Sequence, residues 1–274
     1  MNEATYEKKY IDVDGIKTCY IEEGSGEPLI LIHGGGAGAN GYGNWFGCLS
    51  LFGKQFRTIA VDMVGFGNSD SPDPAVFEYS QRARYDHIAG FIKALGYSKA
   101  SLVGNSMGGA TAMGVAVEYP DLVDKLVLMG SAGLNAEITP ALQPVLGYDY
   151  TPEGMIRLIK TLANDKFEIT DTMVQYRWKN SVDPKNKASY AATMDWVRKQ
   201  GGLFYPEEFI ARITQPTLVV NGKDDLVVPL DIAYRFLEII DNSWGYIVPH
   251  CGHWAMIEYP QDFSAAVAAF VKSH

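Results

Sequence analysis

Ser101-Leu102-Val103-Gly104-Asn105-Ser106-Met107-Gly108-Gly109-Ala110 runs from a short apolar stretch through Gly-x-Ser-x-Gly into an Ala- and Met-rich segment. A strand, a tight turn and a helix fit this order and predict a nucleophile elbow, whose central serine sits in a strained backbone conformation. Gly104, Gly108 and Gly109 remove the side chains that would collide where strand and helix nearly touch. Ser106 is thereby expected at a helix N-terminus, where unpaired amides and the positive end of the helix dipole favour a developing oxyanion. The bland alternative is a packing turn without chemistry. A base and an acid later in the chain would decide between them.

Outward from this turn, 274 residues suffice for one large α/β core with a domain-sized insertion. With 47% apolar and 20% charged residues and no low-complexity tract, neither a disordered nor a fibrous chain fits. No apolar run approaches a membrane span, and the segment Met1 to Glu7 lacks the basic and apolar regions of a signal peptide, so a cytoplasmic protein is expected. Cys19, Cys48 and Cys251 are widely spaced and read as buried, reduced thiols rather than a disulfide framework or metal site. A formal charge of −9 argues against nucleic acid or an anionic membrane as partner. A small anionic substrate stays possible, but it needs a local cation in the pocket.

The first 25 or so residues alternate apolar and polar positions around Asp14-Gly15, predicting an antiparallel hairpin. Continuous apolar runs follow at Leu29–Ile32, Thr58–Val61, Ser101–Val103, Leu126–Met129, Thr217–Val220 and Tyr246–Val248, the pattern of strands buried on both faces. Helical periodicity separates most of them, as in Tyr85, Ile88, Ala89, Phe91, Ile92 and Leu95 before Gly96. The alternation implies a mainly parallel sheet with helices on both faces. Between about Asn135 and Pro206 it breaks, leaving only helical patterns such as Met155, Ile156, Ile159 and Leu162 punctuated by Pro140, Pro144, Pro152 and Pro184. This interval reads as an inserted helical cap (135–206), dividing the core into 1–134 and 207–274, that shields a site at the strand C-termini.

A serine nucleophile needs a base and an acid that orients it. Among His33, His87, His250, His253 and His274, the best placed is His253 in His250-Cys251-Gly252-His253-Trp254, beyond the last strand. For the acid, Asn221-Gly222-Lys223-Asp224-Asp225 follows a buried strand, and Asp225 is preferred at the tip of its turn, with Asp224 as the alternative. The strand before the cap runs into Ser131-Ala132-Gly133-Leu134-Asn135, which offers no carboxylate. Ser, then Asp, then His is the chain order of the α/β-hydrolase fold. The oxyanion hole is expected from the Met107 amide and from the loop His33-Gly34-Gly35-Gly36, with Gly35 favoured because a side chain there would obstruct the reacting carbonyl.

That loop also contains a competing motif. Gly36-Ala37-Gly38-Ala39-Asn40-Gly41 reads G-x-G-x-x-G after a strand, and Asp62 ends the next strand at the spacing of a dinucleotide-binding unit. A hydride-transfer enzyme is therefore the rival class. It starts its fingerprint three residues late and leaves Ser106, Asp225 and His253 without a role.

Taken together, Gly-Asn-Ser-Met-Gly-Gly at 104–109, His-Gly-Gly-Gly-x-Gly at 33–38 with Asn44 beyond, Val61-Asp62-Met63-Val64-Gly65-Phe66-Gly67 and Gly252-His253-Trp254 resemble the meta-cleavage product hydrolases, serine-dependent C–C bond hydrolases of aromatic degradation. The resemblance covers nearly the whole chain and is strongest to the branch acting on bicyclic compounds of carbazole, biphenyl or dibenzofuran breakdown. It implies a substrate such as 2-hydroxy-6-oxo-6-phenylhexa-2,4-dienoate, no cofactor, and a homodimer. It also implies that Gly34 and Gly36 contact the substrate, that Asn105 and Trp254 line the dienoate end and that Asn44 and Arg177 bind its polar groups. Ala37 departs from the family, where proline is common.

Overall fold

Strand order explains how residues far apart in sequence reach one edge. The computed structural model describes residues 6–135 and 140–274. An eight-stranded sheet contains β1 (Lys9–Val13), β2 (Ile16–Glu23), β3 (Pro28–Ile32), β4 (Arg57–Val61), β5 (Ala100–Asn105), β6 (Val123–Met129), β9 (Thr217–Gly222) and β10 (Ser243–Val248), in the order β1-β2-β4-β3-β5-β6-β9-β10. β1 and β2 form the expected antiparallel hairpin across Asp14-Gly15, and β2 joins β4 antiparallel. From β4 to β10 every pairing is parallel. Parallel strands buried on both faces must be apolar throughout, and Leu29–Ile32 are completely buried. Cover comes from two groups of helices, Gln81–Ala94 with Met107–Glu118 and Leu49–Gly53 with Pro260–Ser273.

One expectation changes. The run Tyr246–Val248 lies in β10, the sheet's edge strand, and only Val248 of the three is buried. An apolar run of three residues carries no information about which end of the sheet it occupies.

Register aligns the strand ends. Ile32 pairs with Gly104, Asn105 with Met129, Met129 with Val220, and Gly222 with Val248, so the loops after β3, β5, β6, β9 and β10 leave the same edge. In open α/β sheets that carboxyl edge is where ligands bind.

The interval between β6 and β9 holds helices Gln143–Leu146, Pro152–Leu162, Asp171–Val182 and Pro184–Gln200. The prolines read as punctuation begin helices: Pro152 follows the N-cap Thr151, and Pro184 the N-cap Asp183. Gly201, at φ 80°, ends the last one. A two-residue ribbon of β7 (Leu134–Asn135) against β8 (Leu203–Phe204) joins the two ends of the interval, a feature too short to show in the apolar pattern. Among the described residues no helix is long and apolar enough to cross a membrane.

Main chain packs tightly on main chain beneath Ser106. A β-carbon on Gly108 would lie 2.4 Å from the carbonyl oxygens of both Ile32 and His33, and one on Gly104 would lie 2.3 Å from the Gly108 carbonyl oxygen. Backbone cannot yield as a flexible side chain does. Gly108→Ala is expected to lower unfolding free energy by at least about 1–3 kcal/mol, the usual cost of overpacking a core, as measured by denaturant titration. An unchanged midpoint would show that helix and strand can separate.

Candidate active site

Ser106 sits between β5 and the helix Met107–Glu118 with φ 56° and ψ −120°. A non-glycine residue there is strained, and backbone bonds on both sides hold it. Its N–H donates to Met129 O at 3.0 Å, while its carbonyl accepts from Gly109, Ala110 and Ala132 at 2.9, 3.1 and 3.2 Å. Met107 is the first helical residue, so its N–H has no acceptor within the helix.

His253 and Asp225 meet as a buried pair, 1% and 5% exposed. His253 Nδ1 lies 2.8 Å from Asp225 Oδ2. The other carboxylate oxygen, Oδ1, accepts the amides of Val227 and Val228 at 2.8 and 2.9 Å, which fixes the acid's orientation. With Nδ1–H given to the carboxylate, Nε2 is left as the basic nitrogen. Asp224 is exposed and accepts from Asn164 Nδ2 at 3.0 Å. Neighbouring aspartates thus have separate surroundings. Gly130 closes the pair from behind: at φ 48° it brings its backbone so near that a β-carbon would lie 3.0 Å from His253 Nδ1. Nothing in the sequence marked Gly130.

In the glycine-rich loop, the adjacent glycines face different neighbours. A β-carbon on Gly35 would meet the Met107 side chain, 2.8 Å from its Sδ, whereas one on Gly34 would approach Asn105 Oδ1 at 2.9 Å and Ser106 Cβ at 3.4 Å. The glycine that lies nearest the serine side chain is Gly34. Sequence order alone does not tell which of three adjacent glycines points which way. His33 holds this loop, accepting the Met63 N–H on Nε2 at 3.0 Å while Nδ1 lies 2.7 Å from Gly34 O. Complete burial lowers its pKa to about 4, so it is neutral.

Gly36–Gly41 serves a purpose other than nucleotide binding. Asp62 Oδ1 accepts from Gly41 N at 2.7 Å and Oδ2 from Asn68 N at 2.8 Å, so the carboxylate meant for a ribose caps backbone. Gly38, at φ 69°, lies under the Arg177 carbonyl, where a β-carbon would come within 2.0 Å. Asn40 caps the helix Gly41–Trp45 and its Nδ2 donates to the Tyr176 hydroxyl at 2.8 Å. The loop is therefore the seat of Tyr176-Arg177 from the inserted helices.

Ser106, Met107 and His253 line a cavity with Gly34, Gly35, Gly36, Asn44, Asn105, Arg177 and Trp254. Asn105 ties the site together: Nδ2 donates to Met129 O at 3.1 Å and His253 O at 3.4 Å, and Oδ1 accepts from Asn44 Nδ2 at 3.2 Å. The rest of the wall is apolar, supplied by Leu142, Val145, Leu146, Met194, Val197 and Leu203 from the insertion and by Val227 and Val228. Those side chains were not foreseen, because helical periodicity shows that a face is buried but not what it faces.

Arg177 is 2% exposed, yet among the described residues it has no carboxylate partner. Its guanidinium stacks 4.8 Å from the Trp254 ring, and Nη2 makes a long 3.4 Å bond to Ala37 O, while Nε and Nη1 are buried without a protein partner. Burial lowers its pKa only to about 10, leaving it charged at neutral pH. The fully buried Arg84 differs, since Nη1 reaches Tyr79 O and Nε and Nη2 reach Gln81 Oε1.

Residues 27–260 match the family described as alpha/beta hydrolase fold. The chain belongs to that family. It is 52% identical over 271 residues (98% of this chain, 92% of the relative) to a 2-hydroxy-6-oxo-6-(2'-aminophenyl)hexa-2,4-dienoic acid hydrolase of Metapseudomonas resinovorans. A serine hydrolase involved in carbazole degradation superposes with TM-score 0.91 at 50% identity, covering 98% of this chain and 100% of that one. A meta-cleavage product hydrolase of Pseudomonas fluorescens IP01 superposes with TM-score 0.90 at 36% identity, covering 96% and 97%. Within the α/β hydrolases, this enzyme is a meta-cleavage product hydrolase. The family's serine chemistry makes the two aspartates separable by mutation. Asp225→Asn should lower kcat by about 10³–10⁴-fold, because the acid fixes the tautomer and stabilises the charged imidazole. Asp224→Asn should leave steady-state kcat near wild type, and the opposite ranking would move the acid to Asp224.

Proposed function

We propose that the enzyme hydrolyses the C5–C6 bond of 2-hydroxy-6-oxo-6-aryl-hexa-2,4-dienoates, giving an aromatic acid and 2-hydroxypenta-2,4-dienoate. The observation that carries this reading is the buried guanidinium of Arg177, with two nitrogens unpaired beside a cavity that is otherwise largely apolar and also contains Ser106 and His253. Burying an unpaired charge is costly, and a ligand carboxylate offsets it through paired, charge-assisted hydrogen bonds. The name of the Metapseudomonas relative specifies an aryl dienoate, and the similar solved hydrolase is named for carbazole degradation, which support the reading.

In the proposed mechanism, Arg177 holds the dienoate carboxylate, Asn44 and Asn105 bound its polar end, and the aryl group occupies the apolar end formed by the insertion. Gly34 and Gly36 shape the near wall and Trp254 backs the guanidinium. Proton transfer to C5 first converts the dienol to its keto form. Ser106 Oγ then adds to C6 as its proton passes to His253 Nε2, with Asp225 stabilising the imidazolium. The Gly35 and Met107 amides receive the oxyanion. Collapse of the adduct breaks C5–C6; its electrons go to C5, now stabilised as a dienolate, which takes a proton. Water, deprotonated by His253, hydrolyses the acyl-enzyme. Metal and cofactor have no step in this scheme.

Residues 135–206 act as the cap in this reading, holding the carboxylate anchor and excluding water. We further propose a cytoplasmic location, and a homodimer, which the family resemblance suggests and sedimentation analysis would test.

The deciding assay follows loss of the dienoate's visible absorbance and compares it with p-nitrophenyl ester hydrolysis. Ester turnover without dienoate turnover would make the enzyme a carboxylesterase of the same fold. Ser106→Ala should bind the dienoate but turn it over at least about 10³-fold more slowly. Near wild-type turnover would remove Ser106 from the chemistry. Arg177→Ala should impair dienoate cleavage by about 2–4 kcal/mol in kcat/KM while changing small neutral ester hydrolysis much less. Equal losses on both substrates would indicate damage to the fold, and no loss would place the carboxylate elsewhere.

A further inference from the structure

We infer that Glu258 is a positioning residue that fastens the backbone on both sides of His253, and the adjoining segment of the insertion, to a single carboxylate. Glu258 ends the short helix Ala255–Glu258 and is half-buried. Its Oε1 and Oε2 each lie 3.1 Å from Gly252 N, Oε1 also accepts from Trp254 N at 3.3 Å, and Oε2 from Asn164 N at 3.0 Å. Gly252 and Trp254 bracket His253. Asn164 lies just beyond the helix Pro152–Leu162 of the insertion. His253's own amide donates to Leu162 O at 2.6 Å, so three consecutive amides are committed to these two anchors.

The side chain's chemistry suits this task and no other in view. A carboxylate has only acceptor sites, about four of them, and here it faces three backbone donors. It has no ion-pair partner among the described residues. Burial raises its pKa while the three amides oppose that shift. The backbone it gathers is closely fitted, for a β-carbon on Gly252 would lie 2.6 Å from Asn164 N and 2.8 Å from Leu162 O. Asp225 orients the imidazole through its ring, and Glu258 orients it through its main chain. Displacing residues 162–164 therefore displaces the base.

The test uses Glu258→Gln, which keeps the shape but turns one acceptor into a donor aimed at backbone N–H groups. It rests on His253 being the base. The full-length variant should show kcat lowered about tenfold or more for dienoate and ester alike, because small misplacements of a catalytic group carry large rate costs. The loss should fall mainly on kcat rather than KM, since Glu258 itself does not line the cavity. The downfield proton resonance of the Asp225–His253 hydrogen bond should shift or broaden while thermal unfolding remains cooperative. Glu258→Asp keeps the charge but is one methylene short of spanning Asn164 and Trp254; it should show the same loss and carries the test if the glutamine variant does not fold. Folded variants with wild-type kcat, or with reduced kcat and an unmoved resonance, would overturn the inference. The resonance reads the imidazole without turnover, so a failure of the base assignment, seen as activity surviving in His253→Ala, is distinguishable from a failure of the positioning role.

Discussion

The backbone of Ser106 is held at φ 56° by bonds to β6 and to the first turn of the following helix. A conformation of that kind costs on the order of 1–3 kcal/mol and persists only where its surroundings overdetermine it. Those surroundings are main chain on main chain: Gly108 against Ile32 and His33, Gly104 against Gly108. Because the strand carrying the serine and the strand carrying the glycine-rich loop are neighbours in register, the turn sets both where the nucleophile points and where the loop's amides lie. Asp225 and His253 arrive on the loops after β9 and β10, farther along the same edge.

Work is divided between the sheet and the insertion. Loops after the strands supply Ser106, His253, Asp225 and the Gly34–Gly36 segment, whereas the insertion supplies Arg177 and most of the apolar wall. The two parts meet where close approach leaves little freedom, at Gly38 beneath Arg177 and at Gly252 beneath residues 162–164. The settings of Arg177 and of the His253 backbone are thus both referred to where the insertion sits.

Much of this was legible in the chain. The elbow, the hairpin and the interior strands are local patterns, and a strand–turn–helix of this kind admits few readings. Asp225 could be preferred to Asp224 by its place in the turn, although only the folded loop shows one buried on His253 and the other exposed. Arg177 was named from resemblance, because a single arginine in a helical segment does not disclose whether it faces solvent or a cavity. Orientation was the harder matter throughout. Which glycine of His33-Gly34-Gly35-Gly36 crowds the serine, which helix faces line the cavity, and why Gly130 has no side chain all depend on contacts between distant segments. The Gly36–Gly41 motif misleads for the same reason, since a glycine pattern that lets a phosphate approach also lets a helix carbonyl approach.

Arg177 is the one arginine or lysine among the described residues that line the cavity, and this affects what happens after the bond breaks. On the proposed reaction, a substrate with one carboxylate becomes two acids, and the second negative charge appears at C6, beside Ser106 and the Gly35 and Met107 amides, with no second guanidinium to share it. Two like charges in one largely apolar cavity repel each other more strongly than they do in water. The arrangement that anchors the incoming molecule by one carboxylate thus makes the outgoing pair of anions poorer joint occupants than their precursor.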